Sequence, residues 1–304
     1  MKFPSIDPKL RNDLLTPPSS KVRVVVDTDT YNEIDDQFAV VQAILSPEEI
    51  DLKAIYAAPF HNPRSSGPKD GMEKSYEEIL RLLERLDRTS EGVVYRGSER
   101  FLDGIEPVRS PAAEHLVELA KERKAGPLYV IAIGAISNVA SAILLEPSII
   151  DNIVVVWLGG NAAYWPSAFE FNLKQDIHAS RLIFDCGLPL VHVPCWPITS
   201  HLITTQAEIE RYVEGKGAIG DYLTGIFKEY TDNLFAKSKV IWDIAAVSWI
   251  INSEWVPSVL DHSPILTDQF TWSRNPSRHL IRSVTSIDRD EIFADIFRKL
   301  KANA

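Results

Sequence analysis

The feature that most constrains the fold is a succession of short runs that are apolar nearly throughout, separated by longer stretches with apolar residues three and four apart. The runs are "VRVVV" (22–26), "DLKAIYAA" (51–58), "LYVIAI" (128–133), "IVVVWL" (153–158) and "LPLVHV" (188–193). Runs without polar alternation belong to strands buried on both faces. Between them, "DDQFAVVQAILS", "GMEKSYEEILRLLERL", "PAAEHLVELAKER", "ISNVASAILLEP" and "DIHASRLIFDCG" carry helical spacing. This order predicts an α/β fold with a mainly parallel central sheet and helices on both faces. The last third predicts helices at "QAEIERYVEG", "GDYLTGIFKEYTDNLFAKS", "IWDIAAVSWIINSEW" and "DRDEIFADIFRKL", with short strands near "SPILT" and "HLIRSV". No repeat or linker splits the chain. Residues 21–304 are therefore expected to form one domain, preceded by a polar, Pro-rich arm over 1–20 laid on its surface.

Composition narrows the function classes. A net charge of −10 argues against a nucleic-acid partner, which needs a basic face. No run of about 18 apolar residues predicts a membrane span. The start, "MKFPSIDPKLRNDLL", lacks the apolar centre of a signal peptide. Cys186 and Cys195 are too few for a disulfide framework and do not have zinc spacing. The expectation is a cytoplasmic protein acting on a small molecule.

Chemistry concentrates behind the first strand, in "VVVDTDTYNEIDD" (24–36), where Asp27, Asp29, Asp35 and Asp36 are joined by Glu33. In an open parallel sheet, ligands gather at the carboxyl ends of strands. Asp35 or Asp36 alone would read as an acid at a helix N-terminus. Four aspartates this close repel one another unless a cation intervenes, and hard oxygen ligands select calcium or magnesium. The opening D-x-D-x-T resembles the haloacid-dehalogenase-type phosphatases, in which Asp27 would be the nucleophile, but no late acidic pair in the required setting follows it.

Read to its end as D-x-D…D-D, the segment instead resembles the inosine–uridine nucleoside hydrolases, and four further stretches resemble that family in its own order. They are "AIGAISNVASAILLEP" (132–147), "WLGGN" (157–161), "FEFNLKQD" (169–176) and "IWDIAAVSWII" (241–251). The resemblance spans residues 22–300 and implies a nucleoside-hydrolase-like fold and cleavage of the N-glycosidic bond of ribonucleosides. It also implies calcium held by Asp29, Asp36, Asp243 and the backbone carbonyl of Ser137, with Asp29 taking the proton of the attacking water. Asp35, Glu170 and Asn172 become a ribose clamp, with Asn161 as a further contact. Asp27 becomes a support for the loop through hydrogen bonds. Assembly as a homodimer or homotetramer is carried over from the family. The plainer roles stay open: Asn172 as a turn cap, Glu170 in a surface ion pair.

Three departures from the pattern stand out. Asp29 to Asp35 is two residues longer than the family's D-P-G-x-D loop, which brings Asn32 and Glu33 beside the metal. The Asn expected after the second strand falls at His61 or Asn62. Trp242 stands where many members have a His that protonates the leaving base. Its resemblance to the purine-preferring branch implies stacking on a purine, the alternative being core packing beside Trp249; Tyr164, Trp165 and Tyr230 are further candidates for a base pocket. Two other functions compete: a hydrolase of a different ribosyl or glycosyl compound on the same metal site, and a non-catalytic calcium- and sugar-binding homologue.

Overall fold

The computed structural model describes residues 3–122, 126–230, 233 and 235–304. The helices expected over 111–123 and 220–238, and the start of the arm, fall partly outside the described residues.

The strands are β1 (Val22–Thr28), β2 (Ile50–Ala57), β3 (Val94–Arg96), β4 (Leu128–Ala132), β5 (Ile153–Leu158), β6 (Leu190–Val193), β7 (Ile203–Thr205), β8 (Ser238–Val240), β9 (Ser258–His262), β10 (Ile265–Leu266), β11 (Trp272–Ser273) and β12 (Leu280–Val284). Eight of them form one sheet in the order β3-β2-β1-β4-β5-β6-β12-β9. Every neighbouring pair is parallel except β12 with β9. The chain builds outward from β1 to β3 on one side, then returns to lay β4 to β6 on the other. The direction reverses between β1 and β4, where Asp27 pairs with Ala132. A crevice opens at the carboxyl ends of such a pair because the two connections leave in opposite directions.

The helices are α1 (Pro8–Leu14), α2 (Asp35–Ile44), α3 (Pro68–Arg85), α4 (Pro111–Lys121), α5 (Ser137–Leu145), α6 (Phe171–Gln175), α7 (Ile177–Asp185), α8 (Gln206–Tyr212), α9 (Gly217–Glu229), α10 (Ile244–Ile251) and α11 (Arg289–Asn303). The two-residue period of β1 sorts them. Val24 and Val26 face a core built with α2, α3, α9, α10 and α11. Val25 faces a second core with α4, α5 and α7. The expected single α/β domain with helices on both faces is what forms.

The arm carries α1, whose Asp7 caps the backbone amides of Lys9 and Leu10 at 2.9 and 3.2 Å. It is fastened rather than merely laid down. Ile6, Leu14 and Leu15 are buried, each such burial stabilising by about 1.5–3 kcal/mol. Arg282 also donates to the Leu15 carbonyl at 2.6 Å.

Candidate active site

Asp29 follows β1 by one residue, and a tight turn returns the amide of Asn32 to its carbonyl at 2.7 Å. That turn delivers Asp35 and Asp36 to the first turn of α2, where helix amides favour anions. Asp36 accepts the Thr28 hydroxyl at 2.5 Å. Asp243 arrives from the far end of the chain, immediately before α10, and the preceding amide of Trp242 reaches Asp35 at 3.3 Å. Carboxylate oxygens of Asp35, Asp36 and Asp243 lie within 4.8 Å of one another. Both oxygens of Asp29 are buried and have no hydrogen-bond partner.

The electrostatics follow from that crowding. Burial first, then the charges of Asp36 and Asp35, raise the pKa of Asp29 well above the ordinary carboxylate range. Asp36 and Asp243 are raised in the same way, by burial and then by Asp35. Asp35 is pushed up only to about 6, because the ammonium of Lys239 opposes its burial. Lys239 itself pairs with Glu33. Four carboxylates that disfavour one another's charge, one with no donor at all, fit a divalent cation bound through oxygen. Gly134 leaves room for this arrangement: a Cβ there would stand 3.1 Å from the Asp29 carboxyl group and from Ala58.

Above the acids is a cavity of about 220 Å³, and its other wall comes from the ends of β4, β5 and β6. Glu170 caps α6, accepting the amides of Asn172 and Leu173 at 2.9 and 3.1 Å and that of Gly160 at 2.7 Å. Gly160 has φ +71°, which suits glycine and few other residues. Burial raises the Glu170 pKa against these three donors. Asn172 spends its amide nitrogen on the carbonyls of Ile133 and Leu158, at 3.2 and 3.0 Å, tying together the strand ends. Asn32, Glu33, Trp242 and Asp243 complete this wall and the mouth.

Three expected site residues are placed elsewhere. Ser137 is the first residue of α5 and does not line the cavity; its hydroxyl donates to Asp176 at 2.6 Å. From that segment it is Ile133, at the strand end, that reaches the cavity. Asn161 braces the loop behind the wall, donating to the carbonyls of Ser167 and Phe169 and accepting the Trp196 amide at 3.1 Å. His61 is exposed and is held through its backbone by Gln175. Its neighbour Asn62 is the one that turns inward, donating to Asn32 Oδ1 at 2.7 Å. Asp27 accepts Asn138 Nδ2 at 2.7 Å, and burial lifts its pKa to about 7. Neither Asp27 nor Asp29 is among the residues lining the cavity; Asp27 is tied to Asn138, whereas Asp29 lies behind the lining against Asp36 and Asp35.

The sequence reading passed over Phe169, Phe171, Cys195 and Trp196, all of which line the cavity. Trp196 meets Trp242 edge to face at 5.8 Å and 62°, and Trp165 stacks on its other side at 6.2 Å and 18°. Tyr164 is 66% exposed, and Tyr230 lies under the Lys239 ammonium. The usable signal for Cys195 and Trp196 was positional: "PCWP" begins directly after a parallel strand, where site loops start.

A crevice at a topological switch point, with buried acids able to hold a metal ion on one side and an Asn/Glu pair on the other, is the setting of an enzyme site for a small molecule. The chain belongs to the inosine-uridine preferring nucleoside hydrolase family, whose model matches residues 24–294. It is 28% identical over 264 residues to the pyrimidine-specific ribonucleoside hydrolase RihA of Salmonella typhimurium, covering 76% of this chain and 80% of that one. It is also 28% identical over 240 residues to a probable uridine nucleosidase 2 of Arabidopsis thaliana, covering 69% and 70%. Among solved structures, a plant nucleoside hydrolase superposes with TM-score 0.71 at 20% identity, covering 94% of this chain and 100% of that one. An inosine-guanosine nucleoside hydrolase superposes at 0.70 and 18%, covering 92% and 99%. The protein is accordingly a hydrolase of N-ribosyl bonds.

Proposed function

We propose that this enzyme uses calcium to hydrolyse the N-glycosidic bond of ribonucleosides, purine nucleosides ahead of pyrimidine ones. The observation that carries the reading is Asp29, whose two buried oxygens have no partner beside the Asp35, Asp36 and Asp243 carboxylates. Asp29, Asp36 and Asp243 would hold the ion, together with a backbone carbonyl; that of Ile133, which lines the cavity where Ser137 does not, would serve. When bound, calcium offsets the acids' repulsion, orients sugar hydroxyls and acidifies water. Asp29 accepts the proton of the attacking water, having no donor to compete for it. Asp35, Glu170 and Asn172 grip the ribose hydroxyls. No Lys or Arg lines the cavity among the described residues, so a neutral nucleoside suits it and a phosphorylated one does not. Glu33 and Asn32 shape the mouth, held by Lys239 and Asn62. A cytoplasmic location and assembly as a homodimer or homotetramer belong to the same reading; light scattering checks the assembly.

The base rests on Trp242, with Trp196 set against its edge. Stacking contributes about 1–3 kcal/mol per base, and an indole face favours a protonated purine. Ribose release from inosine, guanosine, uridine and a nitrophenyl riboside, with and without chelator, tests both parts. Activity that survives chelation removes the metal. Trp242→Ala should slow inosine about 10- to 100-fold and leave the nitrophenyl riboside, which needs no protonation, nearly unchanged. Equal losses on inosine, uridine and the nitrophenyl compound would reduce Trp242 to a support for Asp243 and drop the purine preference. A different riboside as substrate is favoured by one observation, the Glu33–Lys239 pair at the mouth, and the same panel decides it.

A further inference from the structure

Away from the acids, a groove of about 640 Å³ runs between α8, the turn into α9, and α11. Helix α11 divides its faces by spacing. Ile292, Ile296 and Leu300, four apart, are buried in the core, whereas Phe297, Arg298 and Lys301 open on the groove. Arg211 and Tyr212 face them from the end of α8, and Lys216 from the start of α9. Tyr212, 47% exposed, stacks on Phe297 with ring centroids 5.2 Å apart and planes at 21°. The two acids of the groove, Glu208 and Asp290, are both taken by Arg289.

Arg211, Lys216, Arg298 and Lys301 therefore remain, and none makes an ion pair with any described residue. An ordinary solvated face mixes its charges. On the neighbouring α9, Lys228 has both Glu210 and Glu214. In a chain of net charge −10 this groove gathers four unpaired cations around one aromatic pair, and their mutual repulsion is relieved by an anion. A phosphate monoester supplies that charge, and the exposed ring of Tyr212 supplies a surface for a flat heterocycle.

We propose that this groove is a second ligand site, which binds a nucleoside monophosphate with its phosphate among the four cations and its base against Tyr212. It complements the acidic cavity, whose lining suits the unphosphorylated compound. Titration calorimetry of the full chain with AMP, UMP, adenosine and inorganic phosphate at low salt tests it. Either monophosphate should bind saturably and more tightly than adenosine or inorganic phosphate. The Arg298→Glu, Lys301→Glu double variant should weaken that binding about tenfold or more, with inosine hydrolysis unchanged. Tyr212→Ala should weaken the monophosphate and not inorganic phosphate, and Asp243→Ala should leave monophosphate binding intact. The proposal falls if neither monophosphate saturates at millimolar concentration, or if inorganic phosphate binds as tightly. It falls equally if Asp243→Ala abolishes binding that the double variant retains. A double variant that changes the oligomeric state would also overturn it, by making the groove a contact between copies of this chain.

Discussion

Glu78 and Asp29 are both buried carboxylates, and they are furnished in opposite ways. Glu78, 1% exposed, accepts the Tyr222 hydroxyl and the Gln37 amide and pairs with Arg81. Asp29, 0% exposed, receives nothing. The two regions adjoin through α2, where Gln37 follows Asp36 directly. A carboxylate built for structure brings its own donors, because an unpaired buried charge costs several kcal/mol. One left bare at a switch point keeps its lone pairs for something that is not protein. The contrast holds between these two residues: Asp35, Asp36 and Glu170 keep donors of their own, and Asp29 alone among the site's acids has both oxygens bare.

The strongest way to break that contrast is to neutralise each carboxylate in turn. Asp29→Asn preserves shape and removes the proton acceptor, so turnover of the best nucleoside should fall about 10²–10⁴-fold. The chelated protein should melt no lower than the parent, since one repelling charge has gone. A variant that keeps near-parental turnover would place the water-activating group elsewhere. Asp243→Ala should remove calcium binding measured by calorimetry, with activity lost alongside it. Glu78→Ala should do the reverse. Stability should drop by about 1–3 kcal/mol in urea, because Tyr222 and Gln37 are left without an acceptor, while kcat of the folded protein stays unchanged. A large fall in kcat there would make Glu78 part of the site and erase the distinction.

What the sequence made legible follows the same division. Strands buried on both faces announce themselves, so β1, β2, β4, β5 and β6 were found close to their bounds. The half-exposed edges "VYR" and "SVLDH" hold only two adjacent apolar residues each, too short a run to announce a strand, and β3 and β9 were not found. The segment holding α1 was read only as a polar, Pro-rich arm, because the helix is short, buries few side chains and lies among prolines. Of the residues that line the cavity, Asp35, Asp36, Glu170, Asn172, Trp242 and Asp243 were reachable because each sits in a motif. Cys195 and Trp196 were not, since they sit on a loop that meets the site only after the sheet forms, and Phe169 and Phe171, inside the motif of Glu170 and Asn172, carry no polar group to single them out. Ser137 and Asn161 show the limit of motifs: the segment is at the cavity, yet the residue at its edge is Ile133 in one case and a brace in the other. Lys239 could not be foreseen at all, because its partner Glu33 lies 206 residues away.

The smallest expected effect is the pH dependence of stability, and it sharpens the comparison because the two kinds of buried group respond in opposite directions. In protein stripped of metal, Asp29, Asp36 and Asp243 have raised pKa values, Asp35 stands at about 6 and Asp27 at about 7. The native state then holds protons that the unfolded chain has released, so stability is greatest below the ordinary aspartate pKa and declines as pH rises through 6 and 7. His192, buried against the Gly159 carbonyl, is pushed down to about 4, and its contribution runs the other way. It is present above the ordinary histidine value and is lost as pH falls toward 4. Calcium bound by Asp29, Asp36 and Asp243 removes their share of the first dependence and leaves that of Asp27, which is bonded to Asn138, and the second. The melting temperature with calcium minus that with chelator should therefore widen from pH 5 to pH 8, by a few degrees, while the acid limb of both curves coincides. A difference that is flat with pH would mean that the acids are not relieved by the ion. The contrast between Asp29 and Glu78 would then describe hydrogen bonding without describing function.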